Sequence, residues 1–173
     1  MIVENYIRTI PNYPATGINF YDLNSLFASP YWPKCTPILV KAIKDNYVNE
    51  NPTHIVGIES RGFVVGASLA QAMHLPFVMV RKSGAKYPGK LLQESYELEY
   101  GVDTIVLQQG ILGHTSRVII ADDLVATGGT VSATKKLVEQ TGAKVLSCAT
   151  IINLKYLNKF KDIEVVSLYE PTK

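Results

Sequence analysis

The sequence predicts an α/β fold with a mostly parallel central sheet flanked by helices, and three observations carry that expectation. From His54 onward, short apolar runs alternate with helical stretches, the pattern that builds strand–helix–strand units. The run from Arg117 to Ala121 is apolar and β-branched throughout, as in a strand covered on both faces. The chain has 173 residues, 47% hydrophobic and 18% charged. That is one domain's worth of chain, long enough to bury roughly 70% of the surface it exposes when unfolded, and it excludes a disordered or highly charged solvating chain.

Each element follows in order. Pro, Gly and Asn crowd residues 11–33 and forbid long regular elements, so residues 1–33 are expected to form a loop-rich cap. Residues 34–48 read as a helix, with Ile38, Leu39, Ala42, Ile43 and Tyr47 at amphipathic spacing and Asn51-Pro52 closing it. Residues 54–58 and 76–80 are apolar runs on either side of a small-residue helix at 62–73. Residues 81–95 are polar, with four basic residues before the first acid, and are expected to form a mobile surface loop. Residues 96–99 and 104–107 flank Gly101 and suit an antiparallel hairpin. Residues 117–121 form a buried strand, 130–141 a helix closed by Gly142, and 144–153 the next strand. The core is thus placed at 34–170, with residues 82–107 as a flexible loop-and-hairpin lid.

Charge and cysteines narrow the function. A net charge of +2 gives no reason to expect a nucleic-acid or membrane partner held by bulk charge. Cys35 and Cys148 are far apart, with no CxxC and no histidine at ligand spacing, so two free thiols in a reducing compartment are expected. The N-terminus lacks a basic region followed by an apolar one, and no apolar run approaches the roughly 18 residues of a membrane span. A cytoplasmic protein is the expectation.

The chemistry concentrates in the stretch RVIIADDLVATGGT, where a buried strand ends in two carboxylates and passes through a small-residue loop into a helix. Ala126, Thr127, Gly128, Gly129 and Thr130 leave backbone N–H groups at a helix N-terminus, where glycines admit a phosphate and the helix dipole favours its charge. Asp122 and Asp123 repel phosphate, so a ligand touching both features offers neutral hydroxyls beside its phosphate, as a ribose 5-phosphate does. Neither a Walker loop nor a dinucleotide GxGxxG has this spacing.

VIIADDLVATGGT resembles the phosphoribosyl-pyrophosphate signature of the type I phosphoribosyltransferases. YPATGINFYDL, GIESRGFVVGASLA, VRKSGAKYPG and YELEYG extend the resemblance over nearly the whole chain, toward the branch that uses adenine. The resemblance implies that Asp122 and Asp123 hold the ribose hydroxyls and that Ala126 to Thr130 cradle the 5-phosphate. It places Glu59, Ser60 and Arg61 in the pyrophosphate loop, which often holds a non-proline cis peptide. It matches Arg81, Lys82 and Lys86 to a basic loop that typically reaches the pyrophosphate of a neighbouring subunit. Phe20 and Leu124 correspond to residues that sandwich adenine, with the backbone around Asn19 reading its edge and Arg61 beside it. Glu99 and Tyr100 fall in the catalytic hairpin, where the carboxylate contacts N7 of the base.

The implied reaction is adenine plus phosphoribosyl pyrophosphate giving AMP and pyrophosphate, a purine salvage step. Mg2+ would be held mainly by the pyrophosphate and ribose hydroxyls, without a protein cage. The implied assembly is a homodimer. Tyr21 departs from the family's common FRD pattern, and Asn19 replaces a residue that is usually apolar, which bears on how the base is contacted. Two rivals share the signature. One is a transferase for a 6-oxopurine or orotate. The other is a regulator that binds phosphoribosyl pyrophosphate without catalysis, yet the segment ahead of His54 holds no basic recognition helix.

Overall fold

A computed structural model describes residues 3–47, 49–84, 86–98, 101–161 and 163–172. The cap is built from short pieces, as its turn residues demand. A 3-10 turn (Val3–Tyr6) leads into β1 (Arg8–Pro11), which pairs antiparallel with β2 (Asn19–Asp22) as a separate two-stranded sheet. The single-turn α1 (Asn24–Phe27) then buries Leu26, and α2 (Trp32–Asn46) follows. The helix begins two residues before the expected start. Pro33 sits in its first turn, where the missing N–H has no partner to lose, and Pro37 is accommodated inside it.

The main sheet collects β3 (His54–Ile58), β4 (Phe77–Lys82), β5 (Leu91–Leu98), β6 (Gly101–Gln108), β7 (Arg117–Ala121), β9 (Lys144–Asn153) and β10 (Val165–Tyr169). Their order is β10-β9-β7-β3-β4-β6-β5, with the two-residue β8 (Leu124–Val125) also pairing with β9. From β10 to β4 every pairing is parallel. The β5–β6 hairpin is added antiparallel on the β4 edge. α3 (Gly62–Met73) crosses between β3 and β4, and α4 (Gly129–Glu139) lies between β8 and β9.

Alternation along the strands divides the core into two layers. Ile55, Ile119 and Ile151 face Leu39, Ile43 and Leu69 from α2 and α3. Val56, Val118 and Ile120 face Leu137 and Val138 from α4. Strands covered on both sides explain why β7 reads as an uninterrupted apolar run. Cys35 and Cys148 are buried free thiols.

Two expectations need correction. Residues 81–95 are not one loop: Arg81 and Lys82 end β4, and Leu91 to Ser95 already belong to β5. Gln93, Glu94 and Ser95 are polar because an edge strand keeps much of its side-chain surface in solvent, so composition there does not distinguish strand from loop. The strands expected from sequence end at 153, whereas β10 runs parallel to β9 on the far edge.

Candidate active site

The carboxyl ends of β7 and β3 face the start of α4, the place where parallel α/β sheets bind ligands. Asp122 and Asp123 follow β7 directly. The Asp122 N–H donates to the Ala149 carbonyl at 3.1 Å, and the Asp123 N–H donates to Asp122 Oδ1 at 2.9 Å. The Asp123 carbonyl accepts from the N–H groups of Ile151 and Ile152, at 3.2 and 3.1 Å. The acid loop is therefore fixed to β9 rather than loose at the surface.

Gly62 lets the first turn of α3 approach this loop, since a Cβ there would stand 2.9 Å from both the Ala121 carbonyl oxygen and Asp122 Oδ1. Burial, reinforced by the adjacent Asp123 charge, pushes the Asp122 carboxyl well above the usual carboxylate range. Burial also raises Asp123, against the opposing pull of Arg61. Arg61 Nε lies 2.8 Å from Asp123 Oδ2 as an ion pair, without the alignment of a hydrogen bond.

Beyond β8, the chain turns through Ala126 to Thr130 into α4. Gly128 caps the helix at φ +87°, a left-handed conformation that glycine adopts without penalty. No side chain caps this end, so its N–H groups are available to an external acceptor. A recess of about 120 Å³ is lined by Asp122, Leu124 and the loop residues. It adjoins a larger cleft of about 1190 Å³.

Asn19, Phe20, Arg61, Leu124 and all five residues from Ala126 to Thr130 line the larger cleft together. The Arg61 guanidinium carbon stands 5.4 Å from the Phe20 ring centroid, and Tyr13 packs edge-on against the same ring. A cation thus sits over the Phe20 ring although position 21 carries none. Tyr21 also lines the cleft, and burial pushes its hydroxyl up to about 12. Asp22 is taken by Arg8 at 2.6 Å.

Glu59-Ser60 is a cis peptide. The Glu59 carboxylate turns toward β4, accepting from the Lys82 N–H at 2.8 Å and from Arg81 at 3.3 Å. The Lys82 hydrogen bond holds its pKa below the usual range. Arg81 also stands over Tyr87, Lys82 pairs with Asp103 at 3.2 Å, and Lys86 is exposed. None of these three cations lines the cleft. Glu99 and Tyr100 lie outside the described residues. Glu97, two positions before Glu99 on β5, does line the cleft.

One wall of the cleft carries no sequence motif: Leu154, Tyr156, Leu157, Lys159 and Phe160 form it after β9. Its signal was positional: the segment follows the carboxyl end of a parallel strand, where binding loops gather. Among the described residues, no group of three or more His, Cys, Asp or Glu could hold a metal, and no helix is long and apolar enough to cross a membrane.

A parallel sheet that ends in an acid pair, with Asp122 and the glycine cradle lining one recess, defines a class, and comparison with known proteins agrees with it. Residues 33–172 match the phosphoribosyl transferase domain family, to which the chain belongs. Within that family it groups with the adenine phosphoribosyltransferases. It is 40% identical over 167 residues to that enzyme of Haemophilus ducreyi, covering 96% of this chain and 91% of the relative. The crystal structure of the Saccharomyces cerevisiae enzyme, complexed with an iminoalditol bisphosphate and adenine, superposes with a TM-score of 0.87 at 35% identity, covering 96% of each chain. The Rhodothermus marinus enzyme gives 0.84 at 37% identity, covering 98% of this chain and 96% of that one.

Proposed function

We propose that this chain transfers the phosphoribosyl group of phosphoribosyl pyrophosphate to N9 of adenine, releasing AMP and pyrophosphate. The observation that carries the reading is a cleft in which the glycine cradle faces a strand bearing Phe20, with Arg61 between them and paired to Asp123, and an adjoining recess that Asp122 lines together with the cradle. The cradle binds the 5-phosphate through N–H groups and the hydroxyls of Thr127 and Thr130. Asp122 and Asp123 accept from the ribose hydroxyls, and Phe20 and Leu124 enclose the base.

N9 attacks C1 of the ribose as the bond to pyrophosphate oxygen breaks, and the electron pair leaves with the pyrophosphate. Positive charge develops on the sugar, close to the acid pair, so the carboxylates favour the transition state over the ground state. Glu99 accepts the proton that leaves N7 of the base as N9 bonds to C1, with Tyr100 as its neighbour in sequence. The pyrophosphate loop at Glu59, Ser60 and Arg61 holds the leaving group.

Mg2+ would be held mainly by the pyrophosphate and ribose hydroxyls of the ligand, since that ion keeps several waters and needs no dedicated protein cage. When bound, it neutralises charge on the departing pyrophosphate. Arg81, Lys82 and Lys86 stand away from their own cleft, which supports a homodimer in which this basic loop serves the neighbouring site. The hairpin and loop at 82–107 act as the lid that excludes water, and the protein works in the cytoplasm.

The deciding assay offers phosphoribosyl pyrophosphate, Mg2+ and, in turn, adenine, hypoxanthine, guanine, xanthine and orotate. AMP from adenine, with the other bases poorly used, is the expected outcome. Failure to form AMP from adenine overturns the proposal.

A further inference from the structure

We infer that Lys159 is a direct ligand of the 5-phosphate, presented over the phosphate loop by the segment that follows β9; this rests on the function proposed above. The backbone fixes the residue in place. The Lys159 N–H donates to the Thr127 carbonyl at 3.2 Å, tying the segment to the loop itself. On one side Asn158 Oδ1 accepts the Phe160 N–H at 3.1 Å, and the Leu157 N–H donates to Leu154 at 2.8 Å, so the chain is held in a turn. On the other side the Phe160 ring lies so close over Gly128 that a Cβ at that glycine would collide with it. Lys159 is thereby held one hydrogen bond from the loop, while its own side chain is exposed and lines the cleft.

Charge completes the case. The cleft-lining cations are Arg61 and Lys159, and Arg61 is occupied by Asp123 at 2.8 Å. Among the described residues no carboxylate pairs with Lys159. A helix N-terminus offers only about half an elementary charge. A phosphate dianion in the recess that Asp122 lines, with Glu97 on the adjoining cleft, needs a full counter-charge on its far side. A lysine ammonium at the tip of a flexible four-carbon stem meets such a group as a point charge.

The test is equilibrium binding to the full chain by calorimetry, with ribose 5-phosphate, pyrophosphate and adenine as separate probes. Lys159→Met is expected to weaken ribose 5-phosphate about 5- to 20-fold while leaving pyrophosphate and adenine within twofold. Lys159→Arg restores most of the loss. Lys155→Met, which removes a lysine of the same segment that is paired with Glu170 at 2.7 Å, leaves all three affinities unchanged. In turnover, Lys159→Met raises the KM for phosphoribosyl pyrophosphate and spares kcat. Unchanged ribose 5-phosphate affinity, or an equal loss for pyrophosphate, overturns the inference. If the unmodified chain binds ribose 5-phosphate but forms no AMP, the proposed reaction fails while the ligand role stands; if it binds none, both fail.

Discussion

Replacing Gly62 by alanine tests whether the acid loop is positioned by close backbone contact. The added Cβ would stand 2.9 Å from the Ala121 carbonyl oxygen, 2.9 Å from Asp122 Oδ1 and 3.2 Å from the Asp122 Cα. Two of these three atoms are backbone, in a loop hydrogen-bonded to β9, so no side chain can rotate away to make room. Either α3 or the loop must move by roughly half an ångström to restore ordinary contact. Overpacking of this kind costs about 1–3 kcal/mol. For a chain of this length each kcal/mol lowers Tm by about 2–4 °C, so a fall of roughly 2–12 °C is expected.

Because the displaced residue is Asp122, the KM for phosphoribosyl pyrophosphate should rise on the order of 10-fold as well. Gly66→Ala is the control. Its Cβ would meet the Phe77 ring at 2.6 Å and the Gly57 Cα at 3.2 Å and reach the Ala121 Cβ at an ordinary 3.4 Å, so it strains the helix–sheet contact without meeting either aspartate. Thermal melts and steady-state kinetics on both variants separate the effects. A Gly62→Ala protein with unchanged Tm and KM would refute the reasoning, as would a Gly66→Ala protein whose KM rises equally.

The remaining predictions concern the same cleft. Asp122 has a raised folded pKa, so the unliganded protein loses stability as pH climbs from the unfolded value near 3.9 through the folded one. Asp122→Asn should therefore match the parent Tm in acid and exceed it by about 2 °C or more at neutral pH, while binding phosphoribosyl pyrophosphate poorly; a gain that shrinks as pH rises would contradict this. Phe20→Ala removes the ring beneath Arg61 and should raise the KM for adenine about 10-fold with little change for phosphoribosyl pyrophosphate, as initial rates would reveal. Glu99→Leu should lower kcat 10-fold or more, and an unchanged kcat would make that residue structural.

Much of the fold was legible because its signals are local. The limits of β7, β9 and α3 follow from apolar runs that end at Asp122, at Asn153 and at His74, the last with a left-handed φ of 57° closing its helix. The start of α2 was obscured because Pro33 and Pro37 read as breakers, yet the helix accepts both. β5 was hidden by its edge position, and β10 by the charged residues ahead of it. The acid pair and the cradle were legible because one unbroken segment holds both. The wall at 154–160 was not, since its place beside Thr127 arises from contact between residues distant in sequence. The Arg61–Asp123 pair is likewise a product of the fold, joining the carboxyl ends of two strands.

The two-stranded cap sheet shares no strand pairing with the main sheet among the described residues. Asn19 and Phe20 belong to the cap, whereas the acid pair and the phosphate loop are built into β7, β8 and α4. On the proposed assignment the base is shared between the cap, through Phe20, and the main sheet, through Leu124, whereas the sugar phosphate is handled by the sheet alone. Substitutions on β2 can retune which base is accepted without disturbing the hydrogen bonds that hold the acid loop to β9. For inhibitor design, selectivity between related enzymes is to be sought against the cap, and potency against the sheet.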